Sequence, residues 1–80
     1  MSEQEILAVF TRTLRDLLMD DSVVLAMDTR RRDVANWDSM AYISFIVAVE
    51  VELGVKFNVA EVESFSTVGD IVAGAHARLR

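Results

Sequence analysis

Apolar residues recur at three- and four-residue steps near the start of the chain: Ile6, Phe10, Leu14 and Leu17, flanked by Leu7 and Leu18. Thr11, Arg12, Arg15 and Asp16 fall on the opposite side. This is the period of an amphipathic helix. Ser2 followed by Glu5 has the spacing of a capping box, in which each side chain satisfies a free amide of the first turn. A helix is predicted over residues 3 to 18, with Leu17 on its core side.

Residues 19 to 37 keep no period and contain turn formers (Asp20, Asp21, Ser22) and a charged run from Asp28 to Asp33. They predict a long loop, with room for one helical turn. A loop of that length in so small a domain is uncommon and usually functional. Arg30, Arg31 and Arg32 read as a solvated stretch of it in preference to a phosphate-binding element.

From Ser39 to Leu53 two patterns compete. Val49-Glu50-Val51-Glu52-Leu53 alternates like a strand, and Ile43, Ile46, Val47, Val49 and Val51 are β-branched. Fifteen residues between the capping pair Asp38-Ser39 and a stop glycine, Gly54, exceed a typical strand and suit a helix. Its only polar residues after Ser39 are Ser44, Glu50 and Glu52. Such a helix must be buried on one side and touch something else on the other. Tyr42 and Phe45 are open between core and an exposed apolar patch.

Asn58 with Glu61 and Thr67 with Asp70 repeat the capping spacing. They open a short helix over about 59 to 65, carrying Val59, Val62 and Phe65, and a last helix to the terminus with Val68, Ile71, Val72, Ala75 and Leu79 on one side. Gly69 and Gly74 cost that helix about 1 kcal/mol each relative to alanine, offset if they admit another helix closely. The pattern predicts an all-α, four-helix bundle with a long first loop and a short third helix, in a single domain over 1-80.

Composition narrows the function. Eighty residues support one modest core. The chain is 52% apolar, yet no charge-free run is long enough to span a bilayer, and its start is acidic where a signal peptide is basic. The expectation is a cytoplasmic protein with no membrane insertion. Without cysteine, and with His76 alone, neither a thiolate nor a histidine metal centre can be built. His76 reads as a surface residue near a helix end, and no function is assigned to it. Net charge −5 argues against nucleic acid as a partner. The acids are concentrated: residues 33 to 70 hold seven against Lys56 alone, net −6, while the rest of the chain is +1. An acidic middle suggests a basic partner surface.

Asp38-Ser39 before an apolar run is by itself only an N-cap signal. In context, Trp37-Asp38-Ser39-Met40, the helix stopping at Gly54, the acidic short helix and the Thr67-capped last helix resemble the acyl carrier protein family over essentially the whole chain. Residues 33 to 72 follow the family pattern without insertion or deletion. The resemblance implies 4'-phosphopantetheine, from coenzyme A, attached covalently at Ser39, with Asp38 read by the phosphopantetheinyl transferase as well as capping the helix. It further implies acyl-loading and acyl-processing enzymes as partners, met through Met40, Ile43, Val47, Glu50 and Glu63. Acyl-cavity candidates are Phe57, Val62, Phe65 and Ile71; Phe57 and Phe65 stand where relatives carry smaller aliphatics and read first as core aromatics, and otherwise as shortening the cavity. Trp37 reads as a pin for the loop.

This chain departs from the fatty-acid carriers at Ala41, Ser44 and Val51, neutral where those commonly have acids, which points to a dedicated partner set in a specialised lipid or secondary-metabolite pathway. The expected protein is a monomeric carrier and not an enzyme, since no base stands near a nucleophile at motif spacing. Alternatives are an aminoacyl or peptidyl carrier, and a helical interaction module in which Ser39 is only a cap.

Overall fold

A computed structural model describes residues 1–79. Its order is α1 (Glu3–Leu18), α2 (Ser39–Leu53), α3 (Val59–Ser64) and α4 (Val68–Arg78), with a 3-10 turn at Arg31–Asp33 in the long α1–α2 loop. No strand occurs among the described residues. The alternating segment before Gly54 is helical, as its length and caps indicated.

Each helix starts where a side chain can satisfy its free amides. Ser2 Oγ accepts the Glu5 N–H at 3.1 Å while the Glu5 carboxylate accepts that of Ser2 at 2.8 Å. The same reciprocal box forms at Asn58 with Glu61 and at Thr67 with Asp70. α2 is capped from one side only, the Asp38 carboxylate accepting the Ala41 N–H at 2.9 Å. It stops at Gly54, whose φ of 67° is the left-handed cap glycine adopts without strain.

α1 packs on α2 and on α4. Ile6, Phe10 and Leu14 of α1, Phe45, Ile46 and Val49 of α2, and Val68, Ile71, Val72 and Ala75 of α4 are buried in one cluster. Phe45 lies at its centre, meeting Phe10 edge-on at 5.4 Å and Trp37 edge-on at 5.2 Å. Tyr42 is half-buried beside it.

The long loop is present with its one helical turn, and it adds to the core: Val23, Leu25 and Trp37 are buried and Met27 packs against them. Three expectations need correction. Leu17 is 38% exposed and faces a surface hollow beside Arg12 and Ala48, because the seam continues from Leu14 to Leu18. The glycines of α4 do admit close neighbours, but not another helix. A Cβ on Gly69 would stand 2.7 Å from the Met27 carbonyl oxygen of the loop, and one on Gly74 would stand 3.3 Å from the Phe57 ring. The short helix ends at Ser64, leaving Val59 exposed and Phe65 as its C-cap. The last helix is described to Arg78, and the terminal residue lies outside the described residues.

Candidate functional site

The long loop is held on the start of α4 by backbone. The Thr29 carbonyl accepts the Val68 N–H at 2.8 Å and the Met27 carbonyl accepts the Gly69 N–H at 2.7 Å. These are the first two amides of α4, which the helix cannot satisfy itself. Gly69 is required by this contact, since a side chain there would meet the carbonyl. Thr29 also accepts the Ala26 N–H at 2.8 Å, and the Asp33 carboxylate accepts the Arg30 N–H at 2.8 Å, tightening the turn that follows. Arg30, Arg31 and Arg32 therefore leave a fixed anchor.

A cleft of about 580 Å³ opens between the loop, the start of α2 and α3, lined by all three arginines, Ser39 and Tyr42. Val62, Glu63 and Phe65 form the side contributed by α3 and its end. Ser39 is exposed at the first position of α2. Asp38 caps the third amide of that helix, while the amides of Ser39 and Met40 have no acceptor among the described residues. The positive end of the helix and three guanidinium groups border one cleft, with Ser39 in its lining, in a chain of net charge −5. The three arginines are exposed, as the sequence suggested, and they also line the cleft that Ser39 borders. That shared cleft was not readable from the sequence, because the loop's path is set by α4, remote in sequence.

Tyr42 joins the walls. Its hydroxyl donates to the Val62 carbonyl at 2.7 Å, and the Arg31 guanidinium stands over its ring, 5.2 Å from the centroid. Burial pushes the Tyr42 phenol above its ordinary pKa, with the Arg31 charge acting the other way. Trp37, 4% exposed, lies beneath the cleft as the pin the sequence suggested, and its indole N–H is buried with no acceptor among the described residues.

Of the other site candidates, Met40 is 82% exposed, and Ile43, Val47 and Glu63 are also open to solvent. Glu50 is held inside the chain, its carboxylate accepting the Phe57 N–H at 2.8 Å and so shaping the turn after Gly54. Val62 and Phe65 reach the cleft. Ile71 lines a small pit of about 20 Å³ beneath it, with Trp37 and Phe65. Phe57 is buried behind, edge-on to Phe65 at 5.4 Å and covered by the Arg78 guanidinium. His76 is half-buried in the last turn of α4. No metal-ligating cluster and no helix long and apolar enough to cross a membrane occur among the described residues.

Residues 8–74 match the family model described as the phosphopantetheine attachment site. The chain belongs to the acyl carrier protein family. It is 31% identical over 78 residues to the acyl carrier protein MbtL of Mycobacterium sp. (strain MCS), an alignment covering 98% of this chain and 88% of that one. The solution structure of the holo acyl carrier protein of Geobacter metallireducens superposes with a TM-score of 0.84 at 33% identity, covering 91% of this chain and 84% of that one. The prosthetic group of this carrier is accordingly 4'-phosphopantetheine, and its role is to carry and not to catalyse. Phosphopantetheinyl transferases and acyl-processing enzymes are the partners of such proteins. The site suits the group: a phosphodiester is an anion, and a helix start with free amides beside guanidinium groups is a place for one.

Proposed function

We propose that Ser39 is the attachment point, and that residues 1 to 80 act as one acyl carrier domain serving a specialised lipid or secondary-metabolite pathway. The observation that carries this reading is the exposed Ser39 hydroxyl at the start of α2, facing the cationic cleft inside the family-matched region. When attached, the group supplies a terminal thiol that holds an acyl chain as an activated thioester, a function the cysteine-free chain lacks.

The chain's own residues position and present. Asp38 caps α2 and keeps Ser39 at its tip, and it is the acidic residue beside the hydroxyl that a transferase reads. Met40, Ile43 and Val47 run down the outer side of α2 as apolar contacts for partner enzymes, with Glu63 beside them on α3. Exposed Ser44, and Val51 at 79% exposure, lengthen that uncharged strip and support a dedicated partner set. Glu50, being tied to Phe57, acts on recognition through the turn it holds. Val62 and Phe65 border the acyl chain's route, with Ile71 below and Phe57 as its closed end. A cytoplasmic monomer fits a carrier that visits several enzymes in turn.

Intact mass after incubation with coenzyme A, magnesium and a broad-specificity transferase tests the attachment. A gain of one phosphopantetheine, absent in Ser39→Ala, is expected; an equal gain in Ser39→Ala would refute the assignment. Which activating enzyme then loads the thiol separates an acyl from an aminoacyl cargo.

A further inference from the structure

We propose that Arg31, in the field of Arg30 and Arg32, grips the phosphodiester borne by Ser39 and so turns the prosthetic arm over the cleft instead of leaving it free in solvent. This rests on Ser39 as the attachment point.

Position comes first. Tyr42 lies three residues after Ser39 in α2, so their side chains leave the same helix face about 5–6 Å apart at Cβ. The Arg31 guanidinium is held over the Tyr42 ring, and that ring is fixed in turn by its hydroxyl bond to Val62. Arg31 is thus stationed over a ring that leaves α2 one helical turn after Ser39, and both residues line the same cleft.

Charge comes second. Among the lining residues of the cleft Glu63 alone opposes the three arginines, and none of the three forms an ion pair among the described residues. Of the acids nearby, Asp38 is turned into α2 to accept the Ala41 N–H, Asp33 accepts the Arg30 backbone N–H, and Asp70 feels the Arg30 charge without pairing with it. A cationic cleft in a chain of net charge −5 lacks its anion, and the phosphodiester is an anion delivered covalently to its edge.

Geometry of the groups comes third. The amides of Ser39 and Met40 are free to donate to oxygens of the phosphate. A guanidinium fork binds two phosphate oxygens at once where an ammonium would act as a point charge. Because the bonds from Thr29 and Met27 to α4 already hold the loop, little ordering remains for the grip to impose.

The test uses holo protein with Arg31 intact, with Arg31→Gln and with Arg31→Lys, loading being confirmed for each by intact mass. Arg31 is exposed, so the apo variants keep the wild-type fold, with amide shifts confined to the neighbourhood of residues 31 and 42. Two signals are read: the phosphorus resonance of the phosphodiester and the Arg31 Nε–H resonance. The Arg31 signal is expected to move between apo and holo, and the phosphorus signal to shift in Arg31→Gln. Arg31→Lys restores it in part at most, and high salt weakens the effect in wild type. A phosphorus resonance identical in wild type and Arg31→Gln at full loading overturns the grip. An Arg31 signal that moves only when the thiol carries a carboxylated acyl group, and not an acetyl group, also overturns it, in favour of cargo selection. Failure of the underlying attachment shows separately, as no mass gain at Ser39.

Discussion

The two faces of α2 are nearly equal in composition and opposite in fate. Phe45, Ile46 and Val49 are buried, while Met40, Ile43, Val47 and Val51 stand in solvent along the other side. Helix periodicity alone cannot rank two apolar faces. What decides is which face the rest of the chain can cover. α1 covers Phe45 with Phe10, and the loop covers it with Trp37, leaving no element for the outer strip. The inner face is thus a matter of stability, and the outer one is the surface we propose for partner enzymes.

The widest separation between the faces is expected on truncation. Phe45→Ala should cost about 3–5 kcal/mol, since it removes the ring shared by Phe10 and Trp37 and leaves a cavity. Val47→Ala or Val51→Ala should stay within about 0.5 kcal/mol, because those side chains have little burial to lose. Urea unfolding of the apo protein measures both. A loss above 2 kcal/mol for Val51→Ala would mean that its face is covered after all.

A smaller effect should follow from loosening the cover of the inner face without touching it. Gly69→Ala gains helix propensity of about 1 kcal/mol. It also forces a Cβ to 2.7 Å from the Met27 carbonyl oxygen, which belongs to backbone and cannot swing aside. Net destabilisation of about 1–2 kcal/mol is expected, the overpacking cost exceeding the propensity gain. Faster amide exchange should appear at Val68 and Gly69 and brighter or shifted Trp37 fluorescence in the folded state. Gly74→Ala is the control, since its Cβ meets only the rim of a ring that can give a little. Equal stability of the two variants would refute the anchoring role of Gly69.

Much of this arrangement was legible in the residues, and the boundary of legibility has a physical cause. The helices announce themselves through local chemistry: Ser2 with Glu5, Asn58 with Glu61 and Thr67 with Asp70 act within three residues, so their spacing is enough. The buried half of the loop could not be read that way. Val23, Leu25 and Trp37 have no shared period, and their burial depends on carbonyls of Met27 and Thr29 meeting amides forty residues away in sequence. The same remote anchor sets the loop so that Arg30, Arg31 and Arg32 line the cleft that Ser39 borders. The place of Ser39 at the first position of α2 was legible from the Asp38 cap, whereas the arginines that share its cleft were not. The bond of Glu50 to the Phe57 N–H was not readable for a related reason, because it depends on how the chain turns after Gly54.

The smallest effect expected is in acid, and it acts on the same anchor. The Asp70 carboxylate accepts the amides of Ser66 at 2.9 Å and Thr67 at 3.1 Å, bonds that hold its pKa below the usual carboxylate range, with the Arg30 charge a lesser contributor. A group whose pKa is lower in the folded protein contributes stability above its unfolded pKa, about 3.9, and loses it as pH falls through the folded value. Asp70→Asn should therefore flatten the acid limb of the stability curve below about pH 4. Glu5, held down mainly by the Ser2 amide, and Asp20, held down mainly by the Ser22 hydroxyl, keep the remainder of that slope. Because the dominant bonds are to neutral amides, added salt should change the Asp70 contribution little. Thermal unfolding between pH 2.5 and 6 reads this directly. An Asp70→Asn curve parallel to wild type would show that the cap at the start of α4, and with it the footing of the loop over the inner face of α2, does not depend on that charge.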